Sequence, residues 1–392
     1  MDKRNDLLEE DRKWAEAVFE KIDKKMNKMT LRSRDKLPDG VDENGIHKNM
    51  YPQNKAGWTN GFWGALNLLL YNRTGNEEYL KTARRSEELL DEVLDNYESL
   101  HHDVGFMWHI LAGSDYKLTG NRKAKNTNLF LASVLFSRFV LTENGGFIRA
   151  WNGKKEGEGS NYNWSIVDSL MNLPLLYWAS QELDDDRFTR IAMAHADMTL
   201  RDHLRENGSV VHIAEHDRRT GKCVKTHGGQ GYAEGSSWSR GCAWALYGFT
   251  LSYLYTRENR YLSAAVRAAD HFIKHCREDW LPRIDFFAPA EPVYYDSSAG
   301  AIAASGMAEL AKAVPEEEGA KYLEAAVNIL KALTENFCDF DPENDRLLGH
   351  GSVRYPVDGD LKKNGVHISL IYGDYFYTEA ILKLMGEKYL PW

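Results

Sequence analysis

Acidic, basic and aromatic side chains recur in this sequence at one kind of position, the approach to a helix that is otherwise apolar. Asp168 lies within Ile166-Val167-Asp168-Ser169-Leu170-Met171, Asp103 follows His101-His102, and Arg240 stands between Trp238 and Trp244. A carboxyl group in an apolar stretch loses hydration, so its pKa rises and it can hand over a proton near neutral pH. An arginine in a buried helix needs an anion, either a protein carboxylate or a bound acid. Trp58, in Gly57-Trp58-Thr59-Asn60-Gly61-Phe62-Trp63, joins Trp238 and Trp244 in offering flat faces of the kind that stack on sugar rings. A cup with aromatic walls, a few carboxylates and one arginine suits a charged sugar.

Each of these residues also has a plain structural reading. Asp168 would be a hydrogen-bonded core residue, Asp103 a helix cap, and the tryptophans ordinary core. Asp296 and Asp374 read as caps of the helices that follow them. One motif points elsewhere: His212-Ile213-Ala214-Glu215-His216 matches the H-x-x-E-H pattern of inverted zinc peptidases. That chemistry needs both histidines on one helical face. Here the flanks, Asn207-Gly208-Ser209 and Thr220-Gly221-Lys222, predict a hairpin. On a strand the two histidines share a face and Glu215 points away from both, so no metal is expected and His212 alone is expected to line the cup.

The elements that would position these residues are helical nearly throughout. The periodicity predicts helices over 7–28, 61–74, 77–97, 104–118, 121–142, 165–181, 186–206, 239–256, 260–276, 298–312, 317–337 and 371–388, about one every 33 residues. Charged amphipathic helices alternate with helices rich in Gly, Ala, Trp, Tyr and Leu that must be buried on all sides. Six outer and six inner helices make an (α/α)6 toroid, all-α, as one catalytic domain over residues 1–392. An open helical solenoid has similar periodicity, but does not need chemistry-bearing residues at matching ends of its inner helices.

The chain has 392 residues, 43% of them hydrophobic, and a formal net charge of −9. That balance disfavours nucleic acid and anionic membrane surfaces, which call for clustered Lys and Arg. The polar start of the sequence carries no apolar signal core, and no membrane-length apolar run occurs. The four cysteines show no C-x-x-C pairing, which fits a reducing cytoplasm. None of these features specifies an oligomeric state.

With those residues in view, the sequence resembles the unsaturated glucuronyl hydrolases, glycoside hydrolase family 88, over nearly its whole length. The resemblance is carried by His102-Asp103-Val104-Gly105-Phe106, Val167-Asp168-Ser169-Leu170-Met171-Asn172, Gln230-Gly231-Tyr232, Ser237-Trp238-Ser239-Arg240-Gly241-Cys242-Ala243-Trp244 and Ile371-Tyr372-Gly373-Asp374-Tyr375. It implies a six-hairpin toroid and, without cofactor or metal, hydration of the C4=C5 enol ether that polysaccharide lyases leave on a terminal uronic acid. By the same resemblance Asp168 is the general acid that then acts as base toward water, and Asp103 its partner. Trp58, His102, His212, Gln230, Trp238, Arg240 and Trp244 are expected around the uronate. Cys242 stands where the family commonly has Gln, on the helix interior. The segment 351–365 carries Arg354, Lys362 and Lys363, any of which would read a sulfate on the neighbouring amino sugar; a solvated loop is the plain alternative. The rivals are an unsaturated rhamnogalacturonyl hydrolase acting on pectin fragments and, in another class, a non-catalytic helical scaffold.

Overall fold

The computed structural model describes residues 3–51, 53–153 and 160–392. Helices follow one another in outer–inner pairs. The first two pairs are α1 (Lys3–Arg32) with α2 (Phe62–Thr74), and α3 (Glu77–Asp91) with a π-helical segment, Gly105–Gly113, that runs into α4 (Ser114–Thr119). Next come α5 (Arg122–Ser137) with a 3-10 segment, Val167–Asn172, leading into α6 (Leu173–Leu183), and α7 (Asp186–Asp202) with α8 (Ser239–Thr256). The last pairs are α9 (Asn259–Cys276) with α10 (Ser297–Ala313) and α11 (Glu316–Phe337) with α12 (Ile371–Leu384). Contacts of α12 with α10, α2 and α1 close the ring, so the architecture is the expected (α/α)6 toroid.

Outer and inner helices differ as their sequences require. In α9 the buried residues Tyr261, Ala264, Ala265, Ala268, Phe272 and Cys276 form one stripe at helical spacing. In α8 every residue from Ser239 to Ser252 is buried. Small residues let inner helices approach closely: a Cβ on Gly306 of α10 would lie 2.8 Å from the Tyr247 Cβ of α8. The turns repeat a cap chemistry, with Gly75 and Gly120 left-handed at helix ends (φ 70° and 76°) and the Asn76 and Asn121 side chains capping α3 and α5.

Three expectations fail at their ends. The helix expected over 77–97 stops at Asp91 and is followed by 3-10 turns at Glu92–Asp95 and Tyr97–Ser99. The helix expected over 121–142 stops at Ser137, and Phe139–Thr142 becomes strand β1, paired with β2 (Gly145–Ile148). The helix expected over 165–181 begins instead as β3 (Trp164–Ile166), then a 3-10 turn. The β-branched and aromatic run Trp164-Ser165-Ile166-Val167 finds a pairing partner in β4 (Ile213–His216), which itself pairs with β5 (Cys223–His227), so long-range pairing overrides local helical spacing. β4 and β5 are the expected hairpin. Its two histidines part company, however: His212 opens toward the cavity, whereas buried His216 bonds Ser165 Oγ at 2.8 Å and Glu215 pairs with His227. No helix among the described residues is long and apolar enough to cross a membrane.

Candidate active site

At one end of the ring the starts of the inner helices and the β3–β4 sheet surround a cavity of about 300 Å³. Trp58 enters from the loop before α2, Asp103 from the turn before the π-helix, and Asp168 from the 3-10 turn before α6. Arg240 and Trp244 come from the first turns of α8, Gln230 from the loop ahead of it, and His212, Ile166 and Ile213 from the sheet. Trp151 and Arg354 complete the wall.

The two carboxylates sit in opposite electrostatic settings. Burial pushes Asp168 up to about 8, the neighbouring charge of Asp103 adds to the rise, and Arg240 opposes it. Its Oδ1 has no hydrogen-bond partner among the described residues, while Oδ2 lies 3.9 Å from His212 Nε2. For Asp103 burial also works against ionisation, but the charge of His102 and the close approach of both the His101 and His102 rings outweigh it and hold the carboxyl well below the usual carboxylate range. His102 Nε2 is 3.1 Å and His101 Nδ1 3.3 Å from its oxygens. At neutral pH one acid is therefore protonated and the other ionised, the division of labour that acid–base chemistry needs.

Asn172 ties the two together. Its Nδ2 donates to Asp103 Oδ1 at 3.2 Å and its Oδ1 accepts from Phe106 N at 2.8 Å, one helical turn after Asp168. Gly105 permits this approach, because a Cβ there would lie 2.5 Å from Asn172 Oδ1. His212 is fixed as a donor: its Nδ1 accepts from Gln230 N at 3.0 Å, so the proton of the neutral ring is on Nε2, facing Asp168. Burial, with the charge of Arg240, lowers its pKa to about 3 and keeps the ring neutral.

Arg240 has the anion its burial demands. Nη1 donates to Asp296 Oδ2 at 2.5 Å and to the Ser352 carbonyl, and Nη2 to Val353 O at 2.7 Å and Gln230 Oε1 at 3.3 Å. Asp296 is thus both the expected cap of α10, accepting from Ser298 N, and the counter-ion of Arg240. Asp374 is not a cap: it lies within α12, accepts from Leu348 N at 2.8 Å, and burial raises it to about 7.

Four expected residues do not reach the cavity wall. His102 is buried behind Asp103, with Nδ1 donating to Ala150 O at 2.6 Å, so it orients the acid. Trp238 is also buried, its ring 4.2 Å from the His212 ring and 4.6 Å beneath the Arg240 guanidinium, so it supports both. Lys363 is taken by Asp358 of its own loop at 2.7 Å, and Lys362 is exposed away from the lining. Of the three loop cations only Arg354 lines the cavity. Sequence reasoning missed Trp151, which lies on a loop without periodicity, and the bridging role of Asn172, whose only signal is its spacing of four from Asp168. Tyr372, 4.8 Å from Trp58 and 5.6 Å from the Arg240 guanidinium, backs the aromatic wall. Among the described residues, His101, His102 and Asp103 form a group that could hold a metal ion, with ligand atoms within 4.8 Å of one another.

Fold and cavity together make a helical toroid whose one end holds two buried carboxyls, a buried arginine and aromatic walls. The chain belongs to Glycosyl Hydrolase Family 88, whose profile matches residues 25–381. It is 34% identical over 377 residues to an unsaturated glucuronyl hydrolase from Bacillus sp. (strain GL1), covering 95% of this chain and 96% of that one. It is 31% identical over 386 residues to an unsaturated chondroitin disaccharide hydrolase from Streptococcus pneumoniae, covering 96% and 94%. The solved Bacillus sp. GL1 unsaturated glucuronyl hydrolase, responsible for the degradation of glycosaminoglycan, superposes with a TM-score of 0.82 at 33% identity, over 91% of this chain and 94% of that one. A mutant of the Streptococcus agalactiae unsaturated glucuronyl hydrolase complexed with dGlcA-GalNAc6S gives 0.79 at 26% identity, over 95% and 93%.

Proposed function

We propose that this protein is an unsaturated glucuronyl hydrolase that releases the terminal 4,5-unsaturated uronic acid from lyase-generated glycosaminoglycan oligosaccharides. The observation that carries the mechanism is the opposite setting of two buried carboxyls: Asp168, with Oδ1 unpartnered among the described residues, is held in its protonated form, and Asp103, flanked by His101 and His102, in its ionised form. Asp168 gives its proton to C4, and the C4=C5 electron pair forms the new C–H bond. Positive charge develops at C5 and the ring oxygen, beside the ionised Asp103. The Asp168 carboxylate then removes a proton from water as its oxygen adds to C5. The hemiketal opens by breaking the bond between C5 and the ring oxygen, and the hemiacetal left at C1 expels the remaining sugar. Trp58 and Trp244 provide stacking faces, and neutral His212 turns its Nε2 proton toward the Asp168 carboxyl, 3.9 Å away.

Carboxylate separation does not predict stereochemistry here, because the two acids act at C4 and C5 and the bond at the anomeric carbon breaks only afterwards, when the ring-opened hemiacetal collapses. The conjugated enol ether absorbs in the near ultraviolet, and hydration removes that absorbance. Its decay with unsaturated chondroitin disaccharides, abolished in Asp168→Asn, is the expected result. Decay only with an unsaturated pectin disaccharide would assign the rhamnogalacturonyl reaction, and no decay from folded protein would leave a binding scaffold.

We assign the reading of a sulfate on the second sugar to Arg354, the loop cation in the cavity wall. Arg354→Ala should lower kcat/KM on a sulfated disaccharide more than on its unsulfated counterpart; equal effects would refute the assignment. Four cysteines without a disulfide favour the cytoplasm as the place of action.

A further inference from the structure

The sheet that supplies Ile166 and Ile213 to the cavity continues beyond it. In an antiparallel sheet, directly opposed residues and those two positions along a strand point to the same face. Ile166 opposes Ile213 and Trp164 opposes Glu215 across β3 and β4, while Ile213 opposes His227 and Glu215 opposes Lys225 across β4 and β5. Ile166 and Ile213 look into the cavity, so Trp164, Glu215 and Lys225 share that face one step, roughly 6.7 Å, further out. The Trp164 ring lies 4.4 Å from that of His227 and edge-on to Trp151 of the cavity wall at 6.2 Å.

Just before β3, two guanidinium groups clasp Tyr162, Arg149 at 4.4 Å and Arg218 at 4.8 Å from the ring centre. Each cation–π contact helps to order its loop, yet two like charges on one ring repel each other. Neither arginine has a carboxylate partner among the described residues. Glu215, the acid on this face, is engaged by His227 Nε2 at 3.2 Å. An anion beside Tyr162 would relieve the repulsion between the two arginines.

Taking the cavity as the place of the terminal unsaturated uronate, we propose that this face is a distal substrate subsite. It takes an anionic sugar of an oligosaccharide longer than a disaccharide. Trp164 is the stacking platform, and Arg149 and Arg218 hold the carboxylate or sulfate. In a polymer that alternates uronate with amino sugar, the third residue is again an anion, and the face lies where a chain leaving the cavity past Trp151 would run.

The test compares kcat/KM on an unsulfated unsaturated disaccharide and on the corresponding tetrasaccharide, for wild type and for Arg149→Ala/Arg218→Ala. Arg218 is exposed and Arg149 half-buried, and thermal unfolding of the variant at the wild-type Tm checks that it is folded. It should lose about fivefold or more on the tetrasaccharide, through KM, while keeping the disaccharide within about twofold. Added salt should weaken the wild type on the tetrasaccharide and leave the variant nearly indifferent. Equal losses on both substrates, or no loss on either, would overturn the distal subsite while leaving the disaccharide reaction standing. Turnover of neither substrate by wild type would instead refute the cavity assignment, and the subsite with it.

Discussion

Keeping Asp168 protonated at neutral pH has a stability cost that Asp168→Asn removes. In the unfolded chain this carboxyl ionises near its usual value of 3.8, whereas in the fold burial and Asp103 hold its pKa at about 8. A folded pKa above the unfolded one means that the favourable contribution is complete below pH 3.8 and is lost as pH rises toward 8. At pH 7 the gap is about three pH units, which at about 1.4 kcal/mol each gives a penalty of about 4 kcal/mol. An amide of the same shape carries no such penalty. For a chain of this length that corresponds to a rise in Tm of about 5 °C. Thermal unfolding of both proteins should show nearly equal Tm at pH 4 and a widening gap up to pH 8, with the variant the more stable. Its hydration rate should fall by at least ~100-fold, since the proton donor is gone. A variant no more stable than wild type at pH 7 to 8, or a gap independent of pH, would show that Asp168 is not the buried neutral acid, and the proposed catalytic assignment would fall with it.

The pH profile of kcat/KM should lose activity as pH rises through about 8, where Asp168 loses its proton. In Asp103→Asn the residual activity should show that alkaline limb at lower pH, because the repulsion that raises Asp168 is gone; an unmoved limb would disprove the coupling. Gly105→Ala sets a methyl against Asn172 and should cost about 1–3 kcal/mol by denaturant unfolding, with activity falling in parallel. Arg240→Met strands the buried Asp296 carboxylate and should destabilise by about 3–5 kcal/mol, whereas Arg240→Met/Asp296→Asn should recover part of that loss. A chelator should leave turnover unchanged; a loss restored by zinc would point to His101, His102 and Asp103 as ligands.

Much of this was legible from sequence because outer and inner helices carry different hydrophobic patterns. The stripe of α9 and the uniform burial of α8 follow from residue spacing, and the caps at Asn76 and Asn121 from turn chemistry. What escaped depends on distant partners. Trp164-Ser165-Ile166 is a strand only because Ile213-Ala214-Glu215 lies beside it. Arg240 announced its need for an anion, but no local pattern names Asp296 as the answer. Lys363 and Arg354 look equivalent along the chain; the loop then captures the first with Asp358 and sets the second in the cavity wall. The tryptophans divide similarly, Trp58 and Trp244 facing the cavity while Trp238 stays beneath His212.

Closure of the ring has a consequence for how activity is acquired. Trp58 ahead of α2 meets Tyr372 of α12 beside the cavity wall, and Arg12 of α1 donates to Met385 O beyond the far end of α12, so the early and late parts of the chain meet at both ends of that helix. These contacts are among the most distant in sequence, and their loop-closure entropy is incurred late in folding. A nascent chain that has built five hairpins still lacks the wall behind Trp58 and is expected to be inert. The same geometry makes the toroid tolerant of being reopened elsewhere: with the two ends bridged, a cut at an outer turn such as Thr119-Gly120-Asn121 leaves every residue of the cavity on an unbroken helix pair.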